Sequence, residues 1–141
     1  MTDDSSDEKW QIGAEKLTDV YQGMVSVVPP GLMDFSDIMT RDLFGGIWTR
    51  EQLDVSQRRL IVLGVIAAIG GPNTWKLQCK SALKRGELTE DQVREVLIQA
   101  TPYVGYPRAA EMVGTTEEAI SECRREAAEA EAAADAADET N

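Results

Sequence analysis

The side chains that can do chemistry here are carboxylates, guanidiniums and aromatics, because the 141 residues include no histidine. That absence removes the commonest general base near neutral pH, the commonest metal ligand and every Ser-His or Cys-His nucleophile pair. Glu95 follows the helix start at Thr89 and sits among Val93, Val96 and Leu97. A helix turning those apolar residues to a core is expected to carry Glu95 inward too. A carboxyl held there out of water can act as a general acid and return a proton to a carbanion or enolate. The same position also suits an ion pair with Arg58 or Arg94, or a cap on a neighbouring helix.

Arg50 and Arg58 are the candidates to grip a substrate carboxylate, since a planar guanidinium offers two parallel donors. Equally, they can pair with Glu51, Asp54 or a helix end. Trp48 and Tyr103 can form an aromatic wall around a small unsaturated acid, or anchor a contact between subunits, where Trp, Tyr and Arg concentrate. Cys79 and Cys123 have no partner at metal-ligand spacing and are expected to be thiols in a reducing compartment.

The elements that must position these residues read as helices throughout. Apolar residues recur at helical spacing from Trp10 to Met24, predicting a helix over 9–27 that ends at Val28-Pro29-Pro30-Gly31. A second is predicted over 31–44 with Gly45-Gly46 as its stop, and a loop then holds Trp48 and Arg50. Asp54 or Ser56 caps a helix over 56–69, apolar on nearly every side. Pro72 opens a helix over 72–85, and Thr89 with Gln92 forms a capping box for one over 89–101. Pro102, Gly105 and Pro107 interrupt the pattern. A short helix over 108–113 and a last one capped by Thr115 or Thr116 complete an all-α chain.

The formal charge is −11, with the excess concentrated at the ends: Asp3, Asp4, Asp7 and Glu8 at one, and six acids from Glu126 to Glu139 at the other. Residues 1–8 are therefore expected to be a disordered acidic N-terminus, 9–128 one helical domain, and 129–141 a fraying Ala/Glu-rich tail. No Lys/Arg stripe exists to neutralise phosphates, which argues against nucleic acid as a partner. The longest apolar run, Leu60 to Ile69, is about half of the ~20 residues that cross a bilayer. With no signal-peptide pattern, a cytoplasmic protein without membrane contact is expected.

Several stretches match one family in order and spacing over about residues 40–113. They are Phe44-Gly45-Gly46-Ile47-Trp48-Thr49-Arg50, Leu53 and Arg58, Gly86-Glu87-Leu88-Thr89, Arg94-Glu95-Val96-Leu97, and Tyr103-Val104-Gly105-Tyr106-Pro107-Arg108-Ala109-Ala110. In these the chain resembles the carboxymuconolactone decarboxylase family. The resemblance implies an alkylhydroperoxidase-D-like helical fold and assembly into a homotrimer or hexamer with pockets near subunit contacts. A helix as apolar as 60–69 independently calls for covering by other copies.

The resemblance implies a site for a small carboxylate or lactone, lined by Trp48, Arg50, Arg58, Gln78, Glu95 and Tyr103. In it Glu95 would carry the proton in a cofactor-independent decarboxylation. Two departures bear on this. The redox branch of the fold uses a Cys-x-x-Cys pair, whereas Lys76 and Ala82 stand three positions either side of Cys79, which argues against peroxidase chemistry. The decarboxylase branch has a histidine where this chain has Gln78. Glutamine can orient a ligand and cannot shuttle a proton. The alternative reading is an oligomeric binding or scaffold member that lost its chemistry with the histidine.

Overall fold

Every regular element of the computed structural model, which describes residues 4–139, is helical. In order these are α1 (Asp4–Tyr21), α2 (Asp34–Ile38), a wide-turn π-helical segment (Met39–Ile47), α3 (Val55–Ile69), α4 (Pro72–Lys84), α5 (Glu90–Val104) and α6 (Tyr106–Asp138). The chain forms two compact units, Met1–Leu60 and Ile61–Asn141, with α3 running from one into the other.

In the first unit α1 begins at Asp4, so Asp4 to Glu8 are helical rather than disordered, and residues 1–3 lie outside the described residues. The helix ends before Val28-Pro29. Gln22 and Gly23 take left-handed φ values of 52° and 76°, and Gly23 N–H closes back on Thr18 O at 3.1 Å. The second predicted helix starts later and is not stopped by Gly45-Gly46: α2 widens after Ile38 into π turns that run through both glycines to Ile47, and Trp48 N–H reaches five residues back to Leu43 O at 2.9 Å. This wider winding carries Thr40 and Gly45 against α1 at Gly13. Between them Ala14, Leu17, Val20, Phe44 and Trp48 are buried.

The second unit packs Leu63, Ile66 and Ala67 of α3 against Trp75 and Cys79 of α4, Val93 and Leu97 of α5, and Ala109, Met112 and Ala119 of α6. Local signals set most boundaries here. Gly70 and Gly71 have positive φ before Pro72 opens α4, and Thr89 and Gln92 make the reciprocal capping box at 3.2 and 2.9 Å. Asp54 caps α3 in the same manner, accepting from Gln57 N–H at 2.7 Å.

The short 108–113 helix and the last helix are one continuous α6, without a break at Gly114-Thr115-Thr116. The threonines are not caps: both hydroxyls donate back to Met112 O, and Thr116 Oγ1 also accepts the Trp75 indole N–H at 2.8 Å. Past residue 128 the helix continues to Asp138 instead of fraying, in keeping with the high helix propensity of alanine, and residues 140–141 lie outside the description. No helix of the described residues is long and apolar enough to cross a membrane.

Candidate active site

The loop before α3 is organised by Arg58, whose Nε donates to Leu53 O at 3.1 Å and Nη2 to Arg50 O at 2.8 Å. Arg50 and Arg58 are thus together, but through the Arg50 backbone, and the Arg58 guanidinium serves carbonyls rather than a free carboxylate clamp. The Arg50 side chain is exposed.

The neighbouring Arg59, which the sequence reading passed over, is fully buried at 0% exposure. Its Cζ lies 5.7 Å from the ring centroids of both Tyr21 and Trp48, and Nη2 donates to Val20 O in the last turn of α1. Burial of the cation is offset by two ring faces and the negative end of a helix. A pair of arginines at the start of an apolar helix was the available signal, since adjacent positions on a helix point about 100° apart and one tends inward. Trp48 is buried in this assembly, stacked on Phe44 at 5.9 Å, so it is part of its own protomer's interior instead of an exposed anchor.

In the second unit Gln78 is buried, with 2% exposed. Glu95 does not face inward as its apolar neighbours imply, but is exposed. It lies two positions from both Val93 and Leu97, which puts it about 200° around the helix from each, on the opposite face. Tyr103 on the same helix is 82% exposed. The unit therefore does not bring Gln78 together with Glu95 and Tyr103.

Most charge on these helices is consumed in interhelical pairs. Lys76, Lys80 and Lys84 of α4 interlock with Glu118, Glu122 and Glu126 of α6, with Lys80 at 2.8 Å from Glu122 and 2.7 Å from Glu126. Hydrogen bonds from Lys76 and Lys80 pull Glu122 down to a pKa of about 2. Arg94 holds Glu117 through two bonds of 2.8 and 2.9 Å, and Arg124 holds Glu90. Among the described residues Glu95 is the acid of α5 with no cation partner, since Asp91 pairs with Arg94 at 3.1 Å. Neither Cys79 nor Cys123 is in a disulfide; Cys79 is buried, and burial pushes the Cys123 thiol up. No cluster of three or more potential metal ligands exists among the described residues.

A cleft of about 580 Å³ opens in this unit between the Ile69-Gly70-Gly71 turn and the start of α6, lined also by Val104, Pro107, Arg108 and Glu111. The Arg108 guanidinium lies over Gly70, where an added Cβ would come within 2.9 Å of Nη1. Among the described residues it forms no ion pair, which leaves both its charge and its donors available to a bound anion.

A family model described as "Carboxymuconolactone decarboxylase family" matches residues 34–118, more than half of the chain. The chain belongs to the carboxymuconolactone decarboxylase family. Like this family, it is all-α. Among curated relatives it is 28% identical over 114 residues to a nitrosuccinic acid decarboxylase of Metarhizium robertsii, covering 79% of this chain and 74% of that one. It is 24% identical over 89 residues to a 4-carboxymuconolactone decarboxylase of Acinetobacter baylyi, covering 63% of this chain and 66% of the relative. Two decarboxylases are thus among the proteins this member of the family resembles.

Proposed function

We propose that this carboxymuconolactone decarboxylase family member removes carbon dioxide from a small acid that supplies its own electron sink. The observation that carries the reading is the pair of relatives. A nitro group beside a carboxylate and an unsaturated lactone each delocalise the electron pair left on carbon, so neither needs a cofactor. The protein then has to hold the acid, accommodate the anion and return one proton to carbon.

Arg108 is the residue for holding a carboxylate that the substrate keeps, because its guanidinium lines a cleft and is unpaired among the described residues. Glu111, one helical turn along α6 in the same cleft, delivers the proton. This reading fits a chain without histidine, since both tasks fall to carboxylate and guanidinium groups.

A second reading keeps Glu95 as the acid, with Tyr103 beside the substrate, in a homotrimer or hexamer. It is favoured by the apolar surface near Glu95, where Ile98 and Tyr103 are exposed, and by Ile61, Val65 and Ile69 exposed along α3. Copies covering these faces would withdraw Glu95 from water.

The test is carbon dioxide release from nitrosuccinate and from carboxymuconolactone, with Arg108→Gln, Glu111→Gln and Glu95→Gln compared against the parent protein. Arg108→Gln is expected to raise KM, and Glu111→Gln to lower kcat by about 10²-fold or more. Loss in Glu95→Gln with Glu111→Gln intact would transfer the role to Glu95. No release from either acid or related β-keto acids would favour the scaffold alternative.

A further inference from the structure

Gly70 closes α3 in the left-handed region at φ 90°, its N–H on Ile66 O at 2.8 Å. Closing a helix is one reason for glycine there. The space over its Cα is another, because an added Cβ would stand 2.9 Å from Arg108 Nη1. Gly86, which follows α4 at φ 71°, is the contrast: a Cβ there would meet nothing within 4 Å. The end of the Arg108 guanidinium therefore occupies room that exists because residue 70 has no side chain.

The electrostatics of the place suit an anion better than a bare cation. Arg108 is the third residue of α6, and Gly70-Gly71 lead into Pro72 at the start of α4. Neither helix has a side-chain cap or an acid in its first turn, whereas α5 begins with Thr89, Glu90 and Asp91. The positive ends of α4 and α6 oppose a guanidinium and attract a carboxylate. Arg108 is also exposed, so its long side chain loses rotamer freedom when it stays against the turn.

We propose that Gly70 is a positioning residue for the Arg108 cleft: its bare Cα lets the guanidinium lie against the turn between α3 and α4, where it meets the carboxylate that the substrate keeps. The proposal rests on the decarboxylase reading and extends it to a residue that acts only through Arg108. The atom that an added Cβ displaces is the end of a flexible side chain, so Gly70→Ala should move the guanidinium and leave the helices in place.

Two measurements test this: turnover of the acid that the parent protein decarboxylates, and succinate binding followed by the Arg108 Nε–H NMR signal, assigned with Arg108→Gln. Succinate is a small dicarboxylate without an electron sink and binds without reacting. Gly70→Ala, and Gly70→Asn with the side chain that best tolerates positive φ, should raise KM at least about tenfold and weaken succinate alike, with kcat unchanged. Gly86→Ala carries the same kind of backbone strain and should change neither. In an Arg108→Gln background Gly70→Ala should raise KM no further.

KM unchanged in both Gly70 variants, an equal rise in Gly86→Ala, or a further rise in the Arg108→Gln background overturns the assignment, while turnover by the parent keeps the decarboxylase reading. Loss of the fold in both Gly70 variants, with Gly86→Ala folded, assigns Gly70 to the chain turn and overturns it too. No turnover by the parent overturns the decarboxylase reading instead, and succinate then decides on Gly70. Weaker binding to Gly70→Ala than to Gly86→Ala supports the assignment; equal binding, or an Arg108 signal that succinate does not move in the parent, ends it.

Discussion

The Trp75 indole donates its N–H to the Thr116 hydroxyl at 2.8 Å, and that hydroxyl donates in turn to Met112 O at 2.7 Å. Both side chains are buried, so one chain of hydrogen bonds ties α4 to α6 across the core. Thr116→Val keeps the volume and strands the indole donor. It should cost about 1–3 kcal/mol in urea unfolding, while Thr116→Ser, which keeps the hydroxyl, should cost clearly less. Equal losses in the two variants would mean that packing, not the hydrogen bond, holds the pair.

Gly13 is where α1 touches the π-helical segment backbone to backbone. A Cβ there would lie 1.9 Å from Thr40 O and 2.9 Å from Gly45 N, so Gly13→Ala should destabilise by about 1–3 kcal/mol or more. Gly64, inside α3 with nothing near its missing Cβ, makes the opposite case. Gly64→Ala should stabilise by up to about 1 kcal/mol through helix propensity. Thermal unfolding of the two variants side by side checks both signs.

The two adjacent arginines of α3 should separate sharply. Arg59→Ala removes a buried cation from between two rings and a donor from the end of α1, and should cost at least about 2 kcal/mol. Arg58→Ala loses bonds from a half-buried group to loop carbonyls, each worth about 0.5–1.5 kcal/mol. Hydrogen exchange should speed up in the last turn of α1 for the first variant alone.

Glu122 contributes to stability through its bonds to Lys76 and Lys80, which depress its pKa to about 2. A depressed carboxylate adds stability that is present above its unfolded value and lost as pH falls through its folded value. The denaturation midpoint should therefore drop between about pH 4.5 and 2. Glu122→Gln should flatten that part of the profile, and an unchanged slope would show that other acids govern it.

Several helix starts and stops were legible because their causes are local. The Thr89/Gln92 box, the Asp54 cap, Pro72 at the start of α4 and the positive-φ Gly70, Gly71 and Gly105 each act within a few residues. Boundaries failed where a distant partner decided them. Thr115 and Thr116 look like caps until Trp75 takes one hydroxyl and α6 runs straight through. The site residues suffered most. Facing inward or outward turns on about 100° of rotation per residue, and apolar neighbours on both sides of Glu95 left its own direction undetermined.

By itself the amino-acid sequence determined an all-helical chain, the absence of imidazole chemistry and the motifs shared with the carboxymuconolactone decarboxylase family. Only the tertiary structure decided that Arg59 rather than Arg58 is the buried cation, that Glu95 faces outward, and that Arg108 lies over Gly70 in a cleft. Composition and short-range spacing act on the chain before it folds. Pairing between side chains distant in sequence exists only once the packed helices have settled which face each residue occupies.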